Sequence, residues 1–319
     1  MANQKIENIS KADMLALRRH GVGGTDSPVI CGVSPWSTRL KLWLKKTGNA
    51  DEVEENNLAL EVGTALEQAV ADLTCARLSK IYNKEVKCHK VNFTYIKDGF
   101  KFANPDRVFY DFNGEKTLLE CKTTNFFNKD AWGDDLNPKI PEYYKYQINW
   151  YCGIMEYPKC IIACLIGGNS DFVMREWSFD ADLFAHQERE AEAFWELVEN
   201  KIPPIAVGDD LPTFVGLPKL DSTVEVSEEI VEAYLETEAS IKLLQEQIKP
   251  LEKKLKDLKA YIIQRLSGAD GVSGIYYIKN TPVSTTTVDT KKLQAEMPEV
   301  YEKYVVKKPS YNKITIKEM

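Results

Sequence analysis

The stretch FKFANPDRVFYDFNGEKTLLECKTT, residues 100–124, decides the predicted fold. It holds two runs rich in aromatic and β-branched residues, and Asn113-Gly114 between them is typical of a tight hairpin turn. Asp106 lies at the edge of the first predicted strand. Glu120 and Lys122 lie two residues apart on the second, so they project from the same face. A hairpin in register therefore brings two carboxylates and one ammonium together.

This trio predicts metal-dependent chemistry. Two neighbouring carboxylates are hard to keep ionised unless a cation sits between them, and hard oxygen ligands select Mg²⁺ or Mn²⁺. The backbone carbonyl of Cys121 could complete the ligand set. A bound ion would activate water for phosphodiester hydrolysis, while Lys122 would orient or deprotonate that water or pair with the scissile phosphate. The competing interpretation is a turn at Pro105-Asp106 and a solvated Glu120–Lys122 pair, but apolar neighbours on the strand argue against solvated charges.

Further helices and strands are predicted before and after the hairpin in the sequence. The further predicted elements are helices over Lys11–Arg19 (Ser10 as N-cap), Leu40–Thr47 (Thr38 as cap), Asn57–Ser79, Pro141–Ile154 and Asp180–Asn200, strands over 159–167 and 172–179, and a glycine-rich loop over 21–36. The order of helices and strands implies an α/β or α+β core with a mixed sheet.

The sequence changes character towards its C-terminal end. Residues 1–210 are predicted as one domain, 202–212 as a proline-rich linker, and 211–319 as an extension. Apolar residues at three- and four-residue spacing predict a coiled-coil helix over about 225–266. Pro250 either kinks this helix or starts the second arm of a hairpin. Strand-like pieces follow at 274–280 and 282–288.

Composition bounds the function without deciding it. The chain has 319 residues, 44% of them hydrophobic, and a net charge of −7. This charge argues against a broadly basic surface, but a nuclease needs basic residues only along its groove. The lack of a long apolar run and the polar N-terminus predict a cytoplasmic protein with no membrane span. The seven cysteines are predicted to be reduced thiols, and Cys152, Cys160 and Cys164 lack a fourth ligand for zinc or iron–sulfur.

The hairpin motif resembles the PD-(D/E)XK nuclease superfamily, and residues 18–204 resemble the YqaJ viral recombinase, or phage lambda exonuclease, family. The segments that carry this second resemblance are Arg19–Asp26 (RHGVGGTD), Gly32–Trp36 (GVSPW), Leu42-Trp43 with Lys46-Thr47-Gly48, Gly63–Glu67 (GTALE), Asn104-Pro105-Asp106, Glu120-Cys121-Lys122 and Tyr144-x-x-Gln147. It implies a restriction-endonuclease-like core, in which helices flank a central mixed β-sheet.

The resemblance also implies roles at the metal centre. Asp106 and Glu120 would be direct ligands, and Glu67 would hold a second ion or its waters, giving two Mg²⁺ (or Mn²⁺) ions. Lys122 would act on the attacking water, and Gln147 would position that water or the phosphate. The alternatives are a boundary glutamate at 67 and a surface amide at 147.

A second implied site binds the end of the substrate. Arg19 falls where the family binds a terminal 5′-phosphate, and Arg18 is a nearby competitor for that role. Thr25 could add a hydroxyl and backbone N–H donors. The alternatives are arginines that favour a helix C-terminus and a threonine that bonds its own loop.

The implied activity is that of a phage or prophage 5′→3′ double-strand DNA exonuclease in the bacterial cytoplasm. It would act on DNA ends as a homo-oligomer, a trimer by family resemblance, and leave 3′ single strands for an annealing protein. The first rival is an endonuclease or a RecB-like repair nuclease, which would cut closed circular DNA. The second is a non-catalytic DNA-binding adaptor, for which loss of Lys122 would change nothing.

Overall fold

The computed structural model describes residues 4–7, 16–50, 58–168, 170–214 and 223–305. It divides the chain into two compact units, Met1–Val215 and Gly216–Met319. The helices of the first unit are α1 (Ser27–Ile30), α2 (Arg39–Lys46), α3 (Leu58–Tyr82), α4 (Glu142–Met155) and α5 (Ala181–Glu199), with 3₁₀ helices at Phe126–Trp132 and Gly208–Phe214. Its strands are β1 (Gln4–Glu7), β2 (His89–Lys90), β3 (Phe93–Lys97), β4 (Lys101–Ala103), β5 (Arg107–Tyr110), β6 (Lys116–Thr124), β7 (Lys159–Ile166) and β8 (Asp171–Ser178). The second unit contains α6 (Glu228–Leu266), β9 (Gly271–Ser273), β10 (Tyr276–Ile278), α7 (Thr290–Glu296) and α8 (Pro298–Tyr304).

A five-stranded mixed sheet in the order β2-β5-β6-β7-β8 forms the centre of the first unit. The β6–β7 pair is parallel and the other pairs are antiparallel. A separate antiparallel sheet has the order β1-β3-β4. The predicted α/β fold with a central mixed sheet and flanking helices is confirmed.

The two long central strands are apolar because both of their faces are covered. Most of β6 and β7 is buried, as expected for strands between two helical layers. On one side the core includes Trp150 and Ile154 of α4, and on the other it includes Val70 and Leu78 of α3. The sheet therefore holds the middle of β6, and three of the predicted site residues, Glu120, Cys121 and Lys122, lie on that strand.

Side-chain caps set the first residues of two helices. Thr38 accepts a hydrogen bond from the Lys41 N–H (3.1 Å), and α2 begins at Arg39. Asp180 accepts one from the Leu183 N–H (2.9 Å), and α5 begins at Ala181. Both helices lie where the sequence predicts them, because these caps satisfy backbone donors that the first turn leaves free.

The linker prediction for residues 202–212 is wrong in part. Asp210 is fully buried, accepts a hydrogen bond from the Val207 N–H (2.9 Å) and accepts another from the Thr38 hydroxyl. This stretch therefore folds back onto the beginning of α2, a tertiary contact that its prolines and glycine do not reveal.

Predictions for the C-terminal unit are met unevenly. A single helix, α6, runs through Pro250, so the alternative of a helical hairpin is wrong. β9 and β10 form a hairpin, but the strand predicted at 282–288 is not formed. β-branched residues favour a strand only where a neighbouring strand or core receives them. Among the described residues, no helix is long and apolar enough to cross a membrane.

Two further predictions concern the N-terminal unit. Of the predicted helix Lys11–Arg19, residues 11–15 lie outside the described residues, as does Ser10, and 16–18 are helical. The expectation of seven reduced cysteines is wrong, because Cys75 on α3 forms a disulfide with Cys88, beside β2. Five cysteines are free, and four of these are buried.

Candidate active site

The hairpin of β5 and β6 brings Asp106 and Glu120 to one cleft. Asp106 directly precedes β5, where Arg107 pairs with Leu119. Its Oδ2 accepts a hydrogen bond from the Cys121 N–H (2.8 Å), which fixes the carboxylate beside the middle of β6. The cleft has a volume of about 290 Å³. The predicted site residues that line it are Glu67, Asp106, Glu120, Cys121 and Lys122.

Glu120 is the most constrained of these side chains. It is 3% exposed, and its Oε1 accepts hydrogen bonds from Lys122 Nζ (2.6 Å) and from Gln147 Nε2 (2.7 Å). Its Oε2 is buried and has no hydrogen-bond partner among the described residues. A buried carboxylate oxygen without a donor costs free energy, so this atom is suited to an electrophilic ligand.

The charges in the cleft do not balance. Two carboxylates share the Lys122 ammonium, and burial together with the charge of Glu120 raises the pKa of Asp106 to about 7. Burial lowers the pKa of Lys122, but the carboxylates of Glu120 and Asp106 outweigh it and hold that pKa well above its usual value. The site therefore has an excess of negative charge that a further cation would relieve.

Glu67 projects from α3 into the same cleft but is held by a buried cation. Arg107 is 2% exposed and donates from Nη1 to Glu67 Oε1 (2.6 Å) and to the Asp106 carbonyl (2.8 Å). Its Nη2 donates to Gln68 Oε1 (3.0 Å). Arg107 thus ties α3 to the strand that carries Asp106. Arg107 is not part of the predicted sequence motifs, although a cation next to Asp106 on a buried strand is a usable signal.

Two tyrosines of α4 complete the surroundings. The Tyr144 ring lines the cleft, with Lys122 Nζ 4.9 Å from its centroid. The Tyr151 hydroxyl accepts a hydrogen bond from Gln147 Nε2 (3.2 Å). Gln147, Tyr151 and Tyr144 lie at helical spacing on one face of α4, so the predicted Y-x-x-Q segment does face Glu120. Tyr151 was not predicted, and its position one turn after Gln147 was the available signal.

The glycine-rich loop packs against this chain of hydrogen bonds. A Cβ added at Gly24 would come within 2.3 Å of the Tyr151 ring, so only glycine allows this approach. Lys46 braces the loop, because its Nζ donates to the Arg18 carbonyl (2.6 Å) and to Asp26 Oδ2 (2.7 Å).

Three predicted residues of this loop region lie outside the lining of the cleft. Arg18, Arg19 and Thr25 are exposed, and the cleft is lined by other residues. In the 3₁₀ helix after β6, Trp132 is buried and Phe127 is 91% exposed.

The oxygen donors fit a divalent cation of the Mg²⁺ type. Within the described ranges, no three His, Cys, Asp or Glu side chains are grouped so that they alone could hold a metal. Mg²⁺, however, is usually bound through one or two carboxylates, with waters and substrate phosphate as the other ligands. The unpartnered oxygen of Glu120 and the charge excess at Asp106 meet that requirement.

Comparison with known proteins identifies the family. The model of the YqaJ-like viral recombinase domain matches residues 13–158. The protein YqaJ of Bacillus subtilis (strain 168) is 33% identical over 333 aligned positions, which cover 99% of this chain and 97% of that protein. The chain belongs to the YqaJ family. Because this relative spans almost the whole chain, the family likeness includes the C-terminal unit, which the domain match does not reach.

Solved structures give more distant matches. An alkaline exonuclease (LHK-Exo) from Laribacter hongkongensis is 19% identical, with a TM-score of 0.46, over 60% of this chain and 94% of that one. A phage-related exonuclease from Haemophilus somnus 129PT is 14% identical, with a TM-score of 0.41, over 59% of this chain and 98% of that one.

Proposed function

We propose that this protein is a magnesium-dependent 5′→3′ exonuclease of double-stranded DNA that leaves 3′ single strands for an annealing protein. The observation that carries the proposal is the buried Glu120 carboxylate, which is clamped through one oxygen and lacks a partner at the other, beside Asp106 and Lys122. Membership of a viral recombinase family supports a nuclease that acts in recombination.

The carboxylates are the proposed metal ligands. Asp106 and Glu120 would hold one ion, and Glu67, which lines the same cleft, would hold a second ion or its waters. When bound, Mg²⁺ lowers the pKa of water and stabilises charge on the phosphoryl oxygens. Gln147 orients the Glu120 carboxylate by donating to Oε1, and the other oxygen of that carboxylate has no hydrogen-bond partner among the described residues.

Lys122 is the proposed group that acts on the substrate. Its ammonium is fixed by Glu120 at 2.6 Å and lies over the Tyr144 ring, so little side-chain entropy is lost when substrate enters. From there it would pair with the scissile phosphate or orient the water. Hydrolysis forms a new P–O bond to water and breaks the existing P–O bond, and the leaving oxygen takes up a proton.

The exposed loop is the proposed site for the 5′ end. Arg19 offers a planar guanidinium that binds a phosphate with two parallel hydrogen bonds, and Arg18 is its competitor. Thr25 would add a hydroxyl donor. Since Gly24 contacts Tyr151, which is bonded to Gln147, this loop is packed against the residues that orient Glu120.

The test uses linear duplex DNA with Mg²⁺, comparing ends that carry 5′-phosphate and 5′-hydroxyl. The wild type should degrade the phosphorylated 5′ strand faster and leave the other strand intact. R19A should lose this preference, whereas R189A, an exposed arginine on α5, should keep it. Equal degradation rates for 5′-phosphate and 5′-hydroxyl ends would favour an endonuclease or repair nuclease. Cutting of closed circular DNA would favour the same alternatives.

Lys122→Met tests the cleft directly. Its cleavage rate should fall about 10²–10⁴-fold, the range for a positioned proton-transfer or charge-stabilising group. Lys116→Met, an exposed lysine at the start of the same strand, is the matched control and should retain full activity. If wild type and K122M degrade DNA equally slowly, the protein is an adaptor and the proposed function is wrong.

A further inference from the structure

Helix α6 of the C-terminal unit carries a long apolar stripe that no other described element of that unit covers. The stripe, called the seam below, consists of Ile230, Tyr234, Ile241, Leu244, Ile248, Leu251, Leu255, Leu258 and Ile262, which alternate at three- and four-residue spacing around Thr237. These side chains are between 41% and 69% exposed. The seam is about 48 Å long. A continuous apolar surface of this length marks an interaction site.

We propose that the seam binds the seam of a second copy of this chain, as an antiparallel two-stranded coiled coil. The twofold axis lies between Lys249 and Pro250. Heptad spacing places Pro250 on the outer side of α6, so its ring does not obstruct the pairing. This surface is independent of the nuclease cleft and does not rest on the proposed function.

The antiparallel arrangement pairs large aliphatic side chains in every central layer. The central layers are Ile241 with Leu258 of the second copy, Leu244 with Leu255 of the second copy, and Ile248 with Leu251 of the second copy. The twofold axis generates each of these three layers a second time. The outer layers place Thr237 against Ile262 and Tyr234 against Arg265 of the second copy. All the central layers are thus filled by large aliphatic side chains, which is the requirement for a stable coiled coil.

Charges beside the seam select this direction over the parallel one. In the antiparallel pair, Glu238 faces Lys259 of the second copy, and the axis produces this ion pair twice. In a parallel dimer, Lys254 would instead face Lys259 of the second copy, and the repulsion would occur twice. Charged residues flanking a coiled-coil seam set orientation in this way.

Charges also select the register. An antiparallel pair shifted by one heptad still fills its layers, because Ile241 would meet Leu251 of the second copy. The same shift places Glu238 opposite Glu252 of the second copy, which is repulsive. In the proposed register Glu252 faces Gln245 instead, so only this register combines filled layers with attraction.

The first experiment measures the mass of the full-length chain by light scattering and sedimentation velocity. Ile248→Lys should halve the mass of the assembly, whatever contacts the N-terminal unit makes. Ile263→Lys is the matched control, since Ile263 has nearly the same exposure (48% against 49%) but lies off the seam. Because both residues are exposed, neither change should alter the thermal unfolding of the N-terminal unit.

An unchanged mass in I248K overturns the proposal. A wild-type chain that is monomeric at tens of micromolar also overturns the proposal. The partner of the seam would then be a different protein.

The second experiment tests direction and register through the dissociation constant. Lys259→Glu should weaken self-association about tenfold, because two exposed ion pairs become repulsive. A parallel dimer would respond in the opposite direction, since K259E would relieve the contact with Lys254. E238K combined with K259E should restore the wild-type constant, which an effect within one helix would not do. Lys253→Glu, on the outer side of the helix, is the control of equal charge change.

Glu252→Lys reports on register alone. It should leave the dissociation constant within about twofold, because its neighbour is the neutral Gln245. Tightening by E252K would indicate the shifted register, and tightening by K259E would indicate parallel helices. Either result overturns the proposed pairing.

Discussion

Asp106→Asn should make the metal-free protein more stable while removing its response to Mg²⁺. Asp106 is buried beside Glu120, and together burial and that second charge raise its pKa to about 7. An asparagine keeps an oxygen that can accept from the Cys121 N–H, so the substitution removes charge with little change in shape. The prediction separates the stability of the cleft from its function, because the two should move in opposite directions.

The size and pH dependence of the effect follow from the raised pKa. Below about pH 4, the ordinary pKa of an aspartate, both folded and unfolded chains bind the proton, and the two proteins should be equally stable. Between pH 4 and 7 the unfolded wild type loses its proton while the folded one retains it, so wild-type stability falls as pH rises. The difference between a pKa of about 4 in the unfolded chain and about 7 in the folded chain corresponds to at most about 4 kcal/mol of unfolding free energy. We expect about 2 kcal/mol at pH 8, or a rise in Tm of roughly 4–8 °C for a unit of this size.

The assay is thermal unfolding in EDTA at pH 4 and pH 8, followed by titration with Mg²⁺. Wild type should gain about 2.7 kcal/mol when Mg²⁺ reaches a hundred times its Kd, and D106N should gain nothing. Asp111→Asn on the same hairpin is the control. Burial raises the pKa of Asp111, but its bond with Lys159 outweighs this and lowers the pKa, so D111N should be less stable at pH 8. A D106N protein no more stable than wild type in EDTA, or one with the same Mg²⁺ response, would refute the reasoning.

Three further substitutions test the supports of the cleft. Arg107→Met should lower the free energy of unfolding by about 3–5 kcal/mol, measured by urea denaturation, because it removes the buried partner of Glu67. Gly24→Ala should reduce the cleavage rate while leaving the far-UV spectrum unchanged, since the new methyl group meets the Tyr151 ring. Asn149→Ala should cost about 2–4 kcal/mol in the same denaturation assay, because Asn149 is fully buried and takes part in four hydrogen bonds.

Local sequence signals account for most of the helices and strands that were predicted correctly. Thr38 and Asp180 mark helix starts because a cap acts on residues two or three positions away. The hairpin between β5 and β6 follows from its turn, and β7 follows from its apolar run. The wrong predictions concern features that depend on contacts between residues distant in the sequence. The burial of Asp210 depends on Thr38, and the Cys75–Cys88 bond depends on how α3 packs beside β2.

The candidate site divides in the same way. Asp106, Glu120 and Lys122 were predictable, because a strand hairpin fixes their relative positions from sequence spacing alone. Gln147 was predicted only through the family resemblance. No local sequence pattern shows that a residue of α4 will contact a residue of the earlier strand β6. The position of Arg107 beside Asp106 is visible in the sequence, but its ion pair with Glu67 is not, because Glu67 lies on a separate helix.

The contact between Gly24 and Tyr151 leads from the exposed loop to the buried carboxylate in a few steps. Tyr151 accepts from Gln147, and Gln147 donates to Glu120. Each link is a packed or hydrogen-bonded contact, so displacement of the loop would have to disturb the orientation of Glu120 or break a bond. Capture of a 5′-phosphate by the loop would therefore be coupled to the geometry of the cleft. A side chain at position 24 would meet the Tyr151 ring at 2.3 Å, so it would push the loop away from the residues that orient Glu120.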